Sequence, residues 1–393
     1  MVSNPLFSIA IVSFNQRNLI EECIDSILMQ TYSNIELIVC DDNSCDFDAQ
    51  SIKDYIDGHK NENITNVIIY KQKRNVGTSA NCQKAFDLSN GQFFKLQAAD
   101  DMLKDEHVLE NVLKYFRINS TNVLIGRAQA CTHNGVLTSD IYPPYENFIK
   151  AKGASPYQLF ELMGTQPWGA FVCAPAVFWR SSFLKELDGF DLTYRYTEDW
   201  PLWLKICLLD KPILYVDDIT TIYRYGGISN DQSHLNQSIG RLHYLECIRM
   251  LKEMAMPKLK ENHSVFAQLR CWHSIKSIEA RIVVETEWKS WSLKQKLKWR
   301  LKEFPFLLVE RLFYIRRNGL SIPFLSLLKG IVAIVFANIA DYMLFPSVNL
   351  QTIWAWAFLL MLSLLGIGGV LKSLTLCAQL LLNYRIRRML HNG

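Results

Sequence analysis

"FFKLQAADDMLKD", residues 93–105, is the stretch on which the fold turns. Its first half reads as a buried strand, because Phe93, Phe94 and Leu96 leave no polar face to turn towards water. The strand then runs into two adjacent carboxylates, Asp100 and Asp101. Neighbouring like charges at the end of an apolar strand repel each other and lose solvation, so something must offset them.

The same grammar repeats on either side. Apolar runs at 7–14, 35–40, 66–71 and 122–126 read as further strands, and 92–98 as the strand of the opening stretch. Between them, 18–30 places Ile20, Cys23, Ile24, Ile27 and Leu28 on one helical face; 79–91 is a helix closed by a glycine, and another helix follows near 106–117. Non-alternating strands separated by amphipathic helices predict an α/β fold, a mostly parallel sheet flanked by helices. Ligands of such sheets sit beyond the carboxyl ends of the strands. The polar clusters fall there: Ser13 and Asn15 after the first strand, "DDNS" (41–44) after the second, "KRNVGTSAN" (73–81) after the third, and Asp100–Asp101 after the fourth.

Residues 131–225 are less regular and rich in aromatics. They hold "TQPWGAFVCAPAVFWR" (165–180), a helix over 198–209, a strand at 213–216 and a closing loop, "IYRYGGIS" (222–229). From 235 to 285 the pattern is helical and amphipathic.

Composition narrows the class. With 393 residues, 49% hydrophobic and 20% charged, the chain has material for one core plus an appendage or two modest domains. A net charge of +4 is too small to imply nucleic acid. Ten cysteines occur without metal-ligand spacing, which points to buried thiols in a reducing compartment. The short apolar run near the start lacks a basic flank and reads as a strand, not a signal peptide.

Beyond 288 the composition changes. "WKSWSLKQKLKWRLKEF" (288–304) interleaves Lys289, Lys294, Lys296, Lys298, Arg300 and Lys302 with Trp288, Trp291 and Trp299. A solvated charged helix has this pattern, but the indoles favour a helix lying on a membrane surface. Apolar stretches follow at 321–345, interrupted by Lys329 and Asp341, and at 353–371, which is free of charge. The second approaches the roughly 20 residues that span a bilayer. Basic residues flank the outer ends and none lies in the connection, so the expected arrangement is a hairpin with both ends cytoplasmic or helices lying in the interface.

Two constellations suggest chemistry. Asp100 and Asp101 form a carboxylate pair suited to Mg²⁺ or Mn²⁺ beside a diphosphate, since these ions take one or two carboxylates plus phosphate oxygens. The alternative is helix capping by Asp before "MLKDEHVL". Glu198 and Asp199 form a second pair, which either supplies a general base or merely starts the following helix.

"SFN", "DSILMQTYSNIELIVCDDNS", "NVGTSANCQKAF", "AADD" and "TEDWPLWLKI" occur in an order and spacing that resembles family 2 glycosyltransferases, GT-A fold enzymes of the type that build bacterial surface polysaccharides. The resemblance covers roughly 5–228 and implies roles. Ser13, Phe14, Asn15, Asp41, Asp42, Asn75, Asn81 and Asp100 would bind the nucleotide sugar, a UDP-sugar being favoured. Asp101, supported by Asp100, would hold the metal. Ala98 or Ala99 stands where many members have the first acid of that motif. Asp199, with Glu198, would remove the acceptor's proton in an inverting displacement. Arg224 would hold the leaving diphosphate, although Tyr225 and Gly226 stand where many members place a histidine, and Trp168 would meet the acceptor.

The expected domains are a catalytic domain (1–230), a helical extension (231–287) and a basic helix with membrane-associated helices (288–393). The implied setting is the inner membrane with the catalytic domain facing the cytoplasm, and a glycan or polyprenyl-linked acceptor. Rival readings are a processive synthase, for which "QLRCW" (268–272) has the wrong spacing, a nucleotidylyltransferase, which would need glycine after the first strand, and a scaffold that has lost its chemistry.

Overall fold

The computed structural model describes residues 4–303 except 168, 227–237 and 289. The chain divides into two compact units, Met1–Ile275 and Lys276–Gly393.

The first unit opens with β1 (Phe7–Ser13), α1 (Ile20–Leu28), β2 (Ile35–Asp41), α2 (Ala49–His59), β3 (Ile64–Lys71), α3 (Thr78–Asp87) and β4 (Phe93–Ala98). There follow β5 (Met102–Leu103), α4 (Val108–Asn119), β6 (Val123–Cys131), β7 (Leu137–Tyr142), α5 (Tyr145–Lys152) and α6 (Pro156–Thr165). Then come β8 (Val177–Arg180), α7 (Ser181–Glu186), α8 (Trp200–Leu208) and β9 (Leu214–Arg224). Helices α9 (Ser238–Met250) and α10 (Met256–Glu261), joined by a π-helical turn, precede α11 (Val265–Thr286) and α12 (Leu293–Lys302).

The nine strands form one sheet in the order β3-β2-β1-β4-β8-β6-β9-β5, with β7 paired to β6. The four strands at one side are parallel. β8 runs antiparallel to both β4 and β6, β5 to β9 and β7 to β6, while β6 and β9 are parallel. The sheet is therefore mixed, where the sequence predicted a mostly parallel one. β8 lies inside an aromatic run with no period to announce it, and its antiparallel direction is set by pairing with β4 and β6, which are distant in sequence.

Both faces are covered, which explains the unbroken apolar strands. Phe93 stacks on Phe7 at 5.6 Å and meets Phe116 of α4 at 4.8 Å, whereas the next residue, Phe94, meets Phe86 of α3 at 5.0 Å. Successive side chains of a strand point to opposite faces, and burying each ring contributes roughly 2–3 kcal/mol. The α1 residues expected to face inward are all buried.

Register positions the site. Parallel pairing sets Ser13 level with Asp41, Val12 with Ala98 and Asp41 with Lys71. The loops after β1, β2, β3 and β4 therefore leave from one edge. The predicted closing loop at 222–229 is partly strand: residues 222–224 complete β9, and Arg224 pairs with Cys131.

The segment 238–275 belongs to the first unit. Ser274 Oγ donates to Thr165 O at 2.7 Å and Cys271 Sγ to Leu251 O at 3.7 Å. In the second unit Trp288 lies 6.0 Å from Trp291 and 5.5 Å from Trp299, with Lys296 Nζ 5.6 Å over the Trp288 ring. Among the described residues no helix is long and apolar enough to cross a membrane. The apolar stretches 321–345 and 353–371 lie outside the described residues.

Candidate active site

The loop after β2 is stitched together by its own acids. Asp41 is fully buried and accepts from Ser44 N at 2.7 Å and Ser44 Oγ at 2.5 Å. Ser44 Oγ in turn accepts from Asn15 N at 2.7 Å, and Asn15 adopts a left-handed φ of 57°. The loops after β1 and β2 thus form one rim. It carries buried Ser13, half-buried Phe14 and exposed Asn15.

Asp42 reaches across to the next loop. Its carboxylate accepts from Asn75 Nδ2 at 2.9 Å, Val76 N at 2.7 Å and Gly77 N at 2.9 Å. Burial raises its proton affinity, and the Val76 and Gly77 amides pull it back. Asn81 is turned inward: its amide donates to Cys40 O at 3.0 Å and its oxygen accepts from Cys40 Sγ at 3.2 Å.

At the end of β4, neither acid caps a helix. Residues 102–103 form β5, and α4 begins only at Val108 after His107. Asp101, 1% exposed, accepts from the Arg224 amide at 2.9 Å. Arg224 is 2% exposed and its guanidinium is spent underneath the pair. Nε donates to Asp100 O at 3.0 Å, Nη1 to His133 O at 2.7 Å, and Nη2 to Glu22 Oε2 at 2.6 Å. Burial and the Asp100 charge hold Asp101 well above the ordinary carboxylate range, against the Arg224 amide and Lys95. Burial also raises Asp100. Lys95, fully buried, is pushed down to about 8 by desolvation, partly offset by Asp101.

A divalent cation fits this pair. Burial raises both carboxyls despite Arg224 and Lys95, and a bound cation would offset that cost. Among the described residues no group of three or more His, Cys, Asp or Glu could hold a metal alone. The remaining ligands would have to be water or substrate phosphate oxygens, the usual set for Mg²⁺.

The second acid pair ends the segment before α8. Asp199 occupies the N-cap position, but its side chain does not cap the helix; Oδ2 accepts from Trp203 Nε1 at 3.3 Å. Burial raises both acids, Asp199 further raises Glu198, and the Trp203 indole, the Trp200 amide and nearby His243 favour the Asp199 anion. The two therefore titrate as a pair, raised above the ordinary carboxylate range. This segment lies near both other clusters. The Cys173 thiol feels both Asp101 and Asp199, and Cys82 feels Glu198, Asp199 and Asp42. Trp168, the expected acceptor residue, lies outside the described residues.

Three contributors were missed in the sequence. Glu246 of α9 accepts from Arg195 N at 2.5 Å, Tyr196 N at 2.9 Å and Thr197 Oγ1 at 3.2 Å. His243 Nδ1 lies 3.2 Å from Thr197 Oγ1. Arg195 reaches Asn75. The one available signal was a His and a Glu three residues apart on an amphipathic helix, which alone does not distinguish a site from a solvated face.

The chain therefore has an α/β fold with a mixed sheet whose acids gather at one edge. Residues 8–187 match the model of glycosyl transferase family 2. Relatives include an uncharacterized glycosyltransferase of Rickettsia bellii, 29% identical over 51% of this chain and 27% of its own length. Another is glycosyltransferase GlyA of Streptococcus pneumoniae, 23% identical over 57% of this chain and 31% of its own length. The chain spans 58% of the length of the Rickettsia typhi relative. Among solved structures, S. aureus TarS 1–349 superposes with a TM-score of 0.52 at 17% identity, covering 77% of this chain and 80% of that one, which shows a shared fold.

Proposed function

We propose that the domain moves a sugar from a nucleotide-sugar donor, preferably a UDP-sugar, to a hydroxyl of a glycan acceptor, in one displacement that inverts the anomeric centre. The observation that carries this is the placement of Asp199, which leads into α8 without capping it and turns its carboxylate to the Trp203 indole at 3.3 Å. Burial raises both acids, the Asp199 charge raises Glu198 further, and the Trp203 indole and Trp200 amide favour the Asp199 anion. An acceptor hydroxyl is a poor nucleophile near neutral pH, and Asp199 takes its proton as the new C–O bond forms.

Phe14, Asn15, Asp42 and Asn75 line the rim that receives the nucleoside. Asp101 and Asp100 would hold Mg²⁺ or Mn²⁺, which when bound neutralises charge on the departing diphosphate. Arg224, buried under the pair, fixes Asp101 and the Asp100 backbone rather than gripping phosphate itself. Support for a UDP-sugar comes from the fold neighbour TarS, solved in complex with UDP-GlcNAc at a TM-score of 0.53 and 15% identity, covering 77% of this chain and 80% of that one.

The acceptor is a glycan carried on a lipid such as a polyprenyl diphosphate, in cell-surface polysaccharide synthesis, with the domain at the cytoplasmic face of the inner membrane. This rests on the basic, Trp-rich 288–302 and the apolar 321–345 and 353–371. The experiment is nucleoside diphosphate release by the detergent-extracted full chain, using UDP-, GDP- and dTDP-sugars with and without Mn²⁺. Metal-dependent turnover of one donor, abolished by Asp199→Asn, is the expected result. No turnover and no nucleotide binding across the panel would overturn it.

A further inference from the structure

The acid pair Glu198–Asp199 is the end of a strap, residues 195–197, gripped from two sides. On one side α9 presents Glu246, whose carboxylate takes the amides of Arg195 and Tyr196 and the Thr197 hydroxyl. Three donors from three consecutive residues on one carboxylate leave the strap little freedom, and charge-assisted bonds of this kind are the strong ones. On the other side stands the 75–79 loop. Arg195 Nη2 donates to Asn75 Oδ1 at 2.6 Å and to Asn75 O at 3.1 Å, and Arg195 O accepts from Ser79 N at 3.1 Å. Arg195 Nε donates to Tyr196 OH at 3.0 Å, which fixes the fork.

The two loops touch so closely that only glycine fits between them. Gly77 has a φ of +93°, and a Cβ there would lie 2.3 Å from Arg195 Cγ and 2.8 Å from Arg195 O. Asn75 in turn donates to Asp42 at 2.9 Å. A continuous chain of side chains, Asp42–Asn75–Arg195, thus runs from the nucleotide rim to the strap that Glu246 holds from α9.

We propose that Arg195 is a positioning residue that couples occupancy of the nucleotide rim to placement of the Glu198–Asp199 pair. This rests on the reading above of Asp42–Asn75 as nucleotide-binding and Asp199 as base. When a nucleoside contacts Asp42 or Asn75, the Asn75 oxygen stays committed to the guanidinium, and the strap ending in Asp199 is drawn to its working position. The acid pair is then held from both sides, by Glu246 at the strap and through Arg195 by the donor's contacts at Asp42 and Asn75.

The test is a double-mutant cycle on the full chain with Asn75→Ala and Glu246→Gln, two sites that Arg195 bridges, repeated in an Arg195→Ala background. The readouts are kcat and KM for nucleoside diphosphate release, and Kd for UDP. The expected result is non-additivity of at least about threefold in kcat that vanishes when Arg195 is absent. Arg195→Ala alone should lower kcat about tenfold or more while UDP affinity moves far less, and Arg195→Lys should recover part of it. Additive effects in both backgrounds would overturn the proposal, as would a loss confined to thermal stability. A loss confined to UDP affinity would overturn it too, by making Arg195 a direct ligand. Failure of the underlying reading is distinct: the wild type would bind no nucleotide at all, and the proposal would fall with it.

Discussion

The amide of Arg224 donates to Asp101 Oδ1 at 2.9 Å, joining the end of the last strand to the acid at the end of the fourth. The same residue's Nε holds Asp100 O at 3.0 Å. One arginine therefore fixes both members of the pair. Replacing it removes the donors to Asp100 O, His133 O and Glu22 Oε2. Arg224→Ala should cost about 2–4 kcal/mol in urea unfolding, and Arg224→Lys nearly as much, because an ammonium cannot reach the same acceptors in a fork. A loss under about 0.5 kcal/mol would mean that the clamp is idle.

Asp101→Asn keeps the acceptor for the Arg224 amide while removing the charge. Mn²⁺ should strengthen UDP binding to the wild type, and the variant should lose that metal-dependent gain by about tenfold or more. Calorimetric titration with and without Mn²⁺ checks this. Equal metal enhancement in the variant would remove Asp101 from the metal site.

Asp199→Asn should lower kcat roughly 10²- to 10⁴-fold and leave UDP affinity within a few-fold. In the wild type, kcat should rise with pH through an apparent value above the ordinary carboxylate range, because burial raises both acids. The two titrate as a pair, so the profile belongs to the pair.

The same acids set a stability trend. Glu198 is raised from 4.5 to about 8 by burial and the Asp199 charge. A raised folded-state value means that more protons are bound when folded, so this contribution is full below pH 4.5 and is lost as pH rises towards 8. Glu198→Gln should flatten that decline in a series of thermal melts from pH 5 to 8.

Glu36 runs the other way. Buried in β2, it accepts from Ser8 Oγ at 2.5 Å, Asn66 Nδ2 at 3.0 Å, and Asn90 N and Nδ2 at 2.8 and 2.9 Å. Burial alone would raise it, but the bonds from Asn90, Ser8 and Asn66 bring it below 4.5. Its contribution is full above that value and disappears as pH falls through the lowered one. Glu36→Gln should cost about 1–3 kcal/mol at neutral pH and progressively less in acid, as read from urea midpoints.

The sequence alone determined the parallel half of the sheet, the helices α1, α3 and α4, and the gathering of acids at one edge. Those features follow from local periodicity and from strand ends, which a chain carries in its own spacing. Its order of motifs also resembles that of glycosyltransferase family 2, whose model matches residues 8–187. What only the tertiary structure decided is which groups are spent on each other. Asn81 pins Cys40, Arg224 lies beneath the acids, and Asp199 leaves its helix uncapped and turns to Trp203. The antiparallel insertion of β8 and the grip of Glu246 on a strap some fifty residues away are equally invisible in spacing. Contacts between segments distant in sequence depend on how the layers close over one another, and no local pattern encodes that closure.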